Sequence, residues 1–199
     1  ILRTHRPYPS CPSTPEPMQS PSQANSLSMS ASDIRLSQQL MRVNHAGEVA
    51  AQALYYGQAL VAMDPAVREF LINAAAEEGD HLHWCRQRLS ELHTHPSVLT
   101  PLWFIGSATI GVLAGLRSDE VSLGFIDETE RQVEGHIDSH LERLPASDVI
   151  SRQILLQMKT DEASHGAAAR ERGAQPLSPF NQRLMASVSK IMTITAARI

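Results

Sequence analysis

Aromatic residues are scarce in this chain, at 5% of its 199 positions, although 42% of it is apolar. Sandwich and barrel cores draw on β-branched and aromatic side chains, so this balance favours helices packed through alanine and leucine. Two cysteines, Cys11 and Cys85, are too few for a disulfide framework, and neither belongs to a Cys-x-x-Cys pair. A cytosolic compartment is therefore expected. Basic residues are in no excess: the net charge of −4 argues against a general nucleic-acid binder. No strand pair with turn chemistry is present. What the chain does have is histidine, nine of them, and a lopsided charge. From Arg172 onward there are four basic residues and no acid, so this tail carries +4 and the remainder −8.

The first 30 residues contain six prolines and seven serines with almost no apolar periodicity. Such a stretch cannot bury enough surface to offset its ordering entropy, so 1–31 is expected to be disordered. Its prolines would also break the amphipathic helix that a transit peptide needs. From 32 to 199 the pattern is helical and reads as one domain. Helices are expected at 33–62, 65–92, 98–116, 118–143, 148–172 and 180–198. Pro65 suits the first turn of the second, Ser147 is placed to cap the fifth, and Gly173 closes it.

Two Glu-x-x-His motifs carry the chemistry: Glu78 with His81, and Glu162 with His165. At spacing three on a helix both side chains leave from one face. Each motif lies on an otherwise apolar stripe, lined by Leu71, Ala75 and Cys85 in one case and Leu155, Met158 and Ala169 in the other. A carboxylate facing a core is costly unless its charge is compensated, and a metal does so. One such motif alone is weak evidence, but the pair is embedded in a doubled unit. Glu48 lies 30 residues before Glu78, and Glu130 lies 32 before Glu162, each on the preceding helix. Four helices giving one Glu each, two of them adding a His, form the carboxylate-bridged di-iron site of ferritin-like bundles. Four carboxylates and two neutral imidazoles balance two divalent irons. Phasing supports Glu130 through Leu123, Ile126, Val133 and Ile137, although Glu128 and Glu134 compete with it. Glu48 keeps only partly apolar company in Met41, His45, Ala51 and Tyr55.

The segments Asn44-His45-Ala46-Gly47-Glu48, Glu77-Glu78-Gly79-Asp80-His81, Pro101-Leu102-Trp103 and Asp161-Glu162-Ala163-Ser164-His165 resemble the demethoxyubiquinone hydroxylases of ubiquinone biosynthesis, in their bacterial form. The likeness runs from about Leu36 to Ile199. It implies an all-α, ferritin-like four-helix bundle with a hydrophobic crossover helix and a C-terminal amphipathic helix. It implies two iron ions held by Glu48, Glu78, His81, Glu130, Glu162 and His165, with Glu78 and Glu162 bridging. It also selects Glu130 over Glu128 and Glu134, because His136 follows at the family's spacing. The reaction implied is hydroxylation of a methoxylated polyprenyl benzoquinol with O₂, using an electron donor. Asp80 and Asp161 are expected to orient the ligand histidines; His136 is either another such residue or a hydrogen-bonded core histidine. A ferritin-like iron-storage protein without hydroxylase activity is the alternative.

Such a substrate lives in a bilayer. Residues 98–116 form 19 uncharged positions, with Ser107, Gly111 and Gly115 recurring every four. A single span there would put the halves of the metal site on opposite sides of the membrane. The stretch is therefore read as a crossover helix, packed on the bundle and partly immersed in the membrane surface, with a buried core helix as the alternative. Residues 180–198 form a basic amphipathic helix suited to anionic lipid, or one that covers the bundle's end. The expected location is peripheral, on the cytoplasmic face of the bacterial membrane, with a homo-oligomer left open. Cys85 reads as a packed thiol and His93-Thr94-His95 as a surface loop.

Overall fold

The computed structural model describes residues 6–8 and 29–199. Most of the segment expected to be disordered, 9–28, lies outside the described residues. Among the described residues there are six helices and no strand: α1 Ala31–Val61, α2 Pro65–Glu91, α3 Thr100–Gly115, α4 Asp119–Arg143, α5 Val149–Glu171 and α6 Pro179–Ala196. The helices start where side chains can satisfy their first N–H groups. Ser30 and Asp33 form a reciprocal capping box at α1. Asp64 precedes Pro65 at α2, and Ser118 caps α4. The cap of α5 is Asp148, accepting from the Ser151 N–H at 3.0 Å, rather than the expected Ser147. Gly173 at φ 90° follows the end of α5, as the left-handed position there requires.

α1 and α2 form one hairpin and α4 and α5 the other; the two meet through α1 against α4 and α2 against α5. The result is a ferritin-like bundle. The crossover helix α3 packs mainly on α1, and α6 on α1 as well. The core has two apolar layers. One gathers Leu54, Tyr55, Leu71, Ala75, Leu123, Ile126 and Ala169. The other gathers Met41, Trp84, Cys85, Leu89, Ile137, Leu155 and Met158. On each of the four bundle helices the boundary between layers falls at the candidate glutamate: Glu48 after Met41, Glu78 after Ala75, Glu130 after Ile126, Glu162 after Met158. The polar cluster is thus a slab between two dry layers.

The buried-core alternative for α3 does not hold. Only Gly111, Ala114 and Gly115 of that helix are buried, while Leu102, Ile105, Leu113 and the flanking Leu116 are exposed. The small-residue stripe does make a close contact, and its partner is α1. A Cβ at Gly111 would lie 2.2 Å from the Leu54 carbonyl oxygen, and one at Gly57 would lie 2.2 Å from that of Ala108. No helix among the described residues is long and apolar enough to cross a membrane.

Candidate metal centre

The six candidate ligands are brought together, none more than 6% exposed. They form two groups able to hold a metal ion, Glu48-Glu78-His81-Glu162 and Glu78-Glu130-Glu162-His165, which share Glu78 and Glu162. The groups are related by an approximate internal symmetry that follows the doubled sequence unit. His81 Nδ1 lies 3.2 Å from Glu48, 3.2 Å from Glu78 and 3.1 Å from Glu162. His165 Nδ1 lies 3.3 Å from Glu162, 3.4 Å from Glu78 and 3.8 Å from Glu130. Each imidazole therefore turns one nitrogen toward three carboxylates.

The symmetry extends outward. His81 Nε2 lies 3.1 Å from Asp161, the residue before Glu162. His165 Nε2 lies 3.0 Å from Glu77, the residue before Glu78. Each ring is held by the acid that precedes the opposite shared glutamate, which is how an outer carboxylate fixes the tautomer of a metal-binding histidine. Asp161, expected to orient a ligand histidine, lies beside the His81 ring. Glu77 went unassigned in the sequence reading, though aligning Glu77-Glu78 with Asp161-Glu162 is the signal that finds it. Asp80 takes a different partner: it accepts from the Arg6 backbone N–H at 3.2 Å and from Arg6 Nε at 3.3 Å.

Burial without compensation leaves this cluster electrostatically unbalanced. Glu78 Oε1, Glu130 Oε2 and Glu162 Oε1 are buried and make no hydrogen bond; the 3.1 Å approach of His81 Nδ1 to Glu162 Oε1 falls outside hydrogen-bond geometry. Burial, reinforced by the neighbouring carboxylates, pushes the Glu48 and Glu130 carboxyls well above their usual range. Burial opposes protonation of His165, yet Glu162 and Glu78 outweigh it and hold the ring at about 11. His81 is likewise raised, against its burial, by Asp161 and three glutamates. Without a cation the slab must retain protons on groups that would otherwise repel, and hard divalent cations with carboxylate and imidazole ligands replace those protons. The donor set and the orphaned oxygens fit such ions.

Tyr55, fully buried, donates its hydroxyl to Glu130 Oε1. It stands two turns beyond Glu48 on the same face of α1. Glu128, the rival to Glu130, is buried too but satisfied elsewhere, by Arg131 at 2.6 Å and Gln132 at 2.6 Å. Cys85 packs in the core with Sγ 3.9 Å from Met158 Sδ. His93 and His95 are exposed.

A cavity of about 330 Å³ opens between α1, α3, α4 and α6, and Glu48 is part of its wall. Its lining is largely apolar, with Leu54, Trp103, Ile110, Phe125, Val133 and Leu184. His136 stands in this wall, its ring centroid 4.1 Å from that of His140. Its Nε2 makes no hydrogen bond.

Residues 35–196 match the family described as ubiquinone biosynthesis protein COQ7. A 3-demethoxyubiquinol 3-hydroxylase of Ralstonia pickettii is 48% identical over 199 residues, all of this chain and 92% of that protein. Proteins of the same name from Variovorax paradoxus and Cupriavidus metallidurans are 52% and 57% identical, over 93% and 80% of this chain and 86% and 77% of theirs. A match across the whole bundle, with relatives at about half identity over most of their length, makes the chain a member of the COQ7 family.

Proposed function

We propose that this chain hydroxylates the ring of a methoxylated polyprenyl benzoquinol, a demethoxyubiquinol, with O₂ at a late step of ubiquinone biosynthesis. One observation carries the reading: an apolar cavity and a buried carboxylate–histidine cluster share Glu48. Glu48, Glu78, His81, Glu130, Glu162 and His165 would hold two iron ions, Glu78 and Glu162 being common to both groups. A reduced iron pair with this ligation and open positions supplies O₂ activation when bound. The chain's own residues do the rest. Leu54, Phe125 and Val133 exclude water and offer an apolar seat for the ring. Asp161 and Glu77 hold the imidazoles, and Tyr55 holds Glu130. One oxygen atom enters the ring and the other leaves as water, so two electrons come from a donor that docks or diffuses in.

We place the chain peripherally on the cytoplasmic face of the bacterial membrane; exposed apolar residues support the contact with a lipid surface. α3 offers Leu102, Ile105 and Leu113, and α6 offers Phe180, Leu184 and Ile191 beside Arg183 and Lys190. That pairing of apolar area with basic charge suits an anionic lipid surface. An iron-storage role is disfavoured by the apolar cavity, which storage does not need.

The test is to load the protein anaerobically with Fe²⁺, count iron per chain, then add demethoxyubiquinol, reductant and O₂ and identify the product by mass spectrometry. Two irons and a hydroxylated ring are expected, with product lost in Glu78→Ala and Glu162→Ala. Far less than two irons, or full product in either variant, overturns the reading.

A further inference from the structure

Arg6 lies 25 residues before the start of α1, in a stretch without helical periodicity, yet it is fastened to both Glu-x-x-His helices. Its backbone N–H and its Nε reach the two oxygens of Asp80 on α2, at 3.2 and 3.3 Å. Its Nη2 donates to Asp161 Oδ2 on α5 at 2.8 Å. Its carbonyl accepts from Trp84 Nε1 at 3.3 Å, and its guanidinium lies over the Trp84 ring, 5.2 Å from the centroid. Two residues on, Tyr8 donates to Glu91 Oε2 at 3.0 Å. Asp80 is buried, and Arg6 itself is about one-third exposed.

The oxygen that Arg6 grips is the one that holds His81. Asp161 Oδ2 accepts from Arg6 Nη2 at 2.8 Å and lies 3.1 Å from His81 Nε2. Arg6 Nη2 is itself 3.4 Å from that ring nitrogen; both groups are donors aimed at the same carboxylate, whose charge makes it the better acceptor. A chain of contacts therefore runs from Arg6 through Asp161 to His81, and from Arg6 to Asp80, one residue before His81. Asp161 also accepts from Gln157 at 3.1 Å on its other oxygen, which leaves it little freedom.

We propose that Arg6 is a positioning residue of the metal centre: it clasps α2 to α5 across Asp80 and Asp161 and so fixes the orientation of His81. The inference rests on the iron reading above. It assigns Arg6 a place beside the site and makes the two irons inequivalent, since the clasp bears on the Glu48/His81 half. Outer-shell partners of metal-binding histidines typically affect metal affinity by about 10- to 100-fold.

The experiment uses the full chain, loaded with ⁵⁷Fe²⁺ anaerobically, as wild type, Arg6→Gln and Arg6→Lys. Iron release to an excess of a ferrous chelator is timed, Mössbauer spectra of the diferrous proteins are recorded, and circular dichroism checks folding. Arg6→Gln is expected to fold, to release one iron about tenfold faster, and to shift one quadrupole doublet while the other stays in place. Arg6→Lys, keeping a cation without the fork, should recover part of the difference. Acrylamide quenching of Trp84 in a Trp103→Phe background should rise in Arg6→Gln, because the segment no longer covers the indole. Wild-type release with an unchanged spectrum in Arg6→Gln overturns the clasp and leaves the iron reading standing. A wild type that holds no iron overturns that reading and the clasp with it.

Discussion

Replacing Gly111 by alanine sets two opposed effects against each other at one position of α3. Alanine is the better helix former, by about 1 kcal/mol in a helix interior. The added Cβ, however, would stand 2.2 Å from the Leu54 carbonyl oxygen, 3.0 Å from its carbon and 3.1 Å from the Gln58 nitrogen. All three are backbone atoms of α1, so no side chain can swing aside. To restore ordinary contact, at about 3.4 Å, the two helices must separate by roughly 1 Å at their closest point. Overpacking of this kind costs about 1–3 kcal/mol, and its upper end applies where a backbone is displaced. The steric term wins, and a net loss of about 1–2 kcal/mol is expected, or roughly 2–8 °C in melting temperature for a chain of this size.

Gly106 supplies the control within the same helix. A Cβ there meets nothing within 4 Å, so Gly106→Ala should gain stability, by up to about 1 kcal/mol. Both variants are melted by circular dichroism in metal-free, detergent-free buffer beside the wild type. The reasoning requires the two substitutions to move the transition in opposite directions. Gly111→Ala melting at or above wild type would mean that α1 and α3 do not meet at this glycine. Because Trp103, Ser107 and Ile110 of α3 line the cavity, a displaced α3 should also loosen the proposed quinol site.

A Cβ at Gly47 has open space and the residue lines the cavity next to Glu48, so Gly47→Leu should keep two irons per chain and fall at least tenfold in quinol turnover, read by metal analysis and product assay. Asp148 is buried against Arg88 at 2.8 Å and caps α5; Asp148→Ala should cost about 2–4 kcal/mol in urea unfolding by removing the cap and one charged hydrogen bond from a guanidinium that keeps Glu91 and Ser151, and Arg88→Met with Asp148→Leu should regain part of it. Burial, with His136 and Arg143 nearby, holds His140 down at about 3. The unfolded chain therefore takes up a proton below about 6.5 that the native state refuses, and this histidine withdraws stability as pH falls. Between pH 6.5 and 5 the wild type should lose about 2 kcal/mol more than His140→Gln; parallel pH slopes for the two would refute it.

The helices were legible because their evidence is local. Proline at a first turn, a capping side chain and a 3.6-residue apolar stripe act within one element, so the expected ends fall within a residue or two of those observed. The two Glu-x-x-His pairs were legible for the same reason, since spacing three puts both groups on one face whatever surrounds the helix. Glu130 was harder. Glu128 is also buried, pairing with Arg131 and Gln132 on its own helix, whereas Glu130 meets Glu78, Glu162 and His165 from two other helices, a tertiary fact that helical phase does not contain. Arg6 and Glu77 lay further out of reach. Arg6 belongs to a stretch without periodicity, and its partners are 74 and 155 residues away. The stripe at Ser107, Gly111 and Gly115 announced a close helix contact but not the identity of the neighbour.

The doubled unit in the sequence explains why the centre is built twice over, and its surroundings explain why the halves differ. Each histidine is turned by the acid preceding the opposite shared glutamate, so the equivalence of the two halves reaches one layer beyond the candidate ligands. It stops there. Glu48 borders the cavity, whereas Glu130 is buttressed by the Tyr55 hydroxyl. The acid facing His81 is fastened by Arg6, while the acid facing His165 is about one-third exposed. An apolar ring entering the cavity therefore meets the half that carries Glu48, and that same half is braced from behind by the clasp. A site that must present one metal to a substrate and hold its geometry gains from stiffness on the side away from the opening. Repetition supplies the candidate ligands, and their surroundings supply the asymmetry that the proposed chemistry would use.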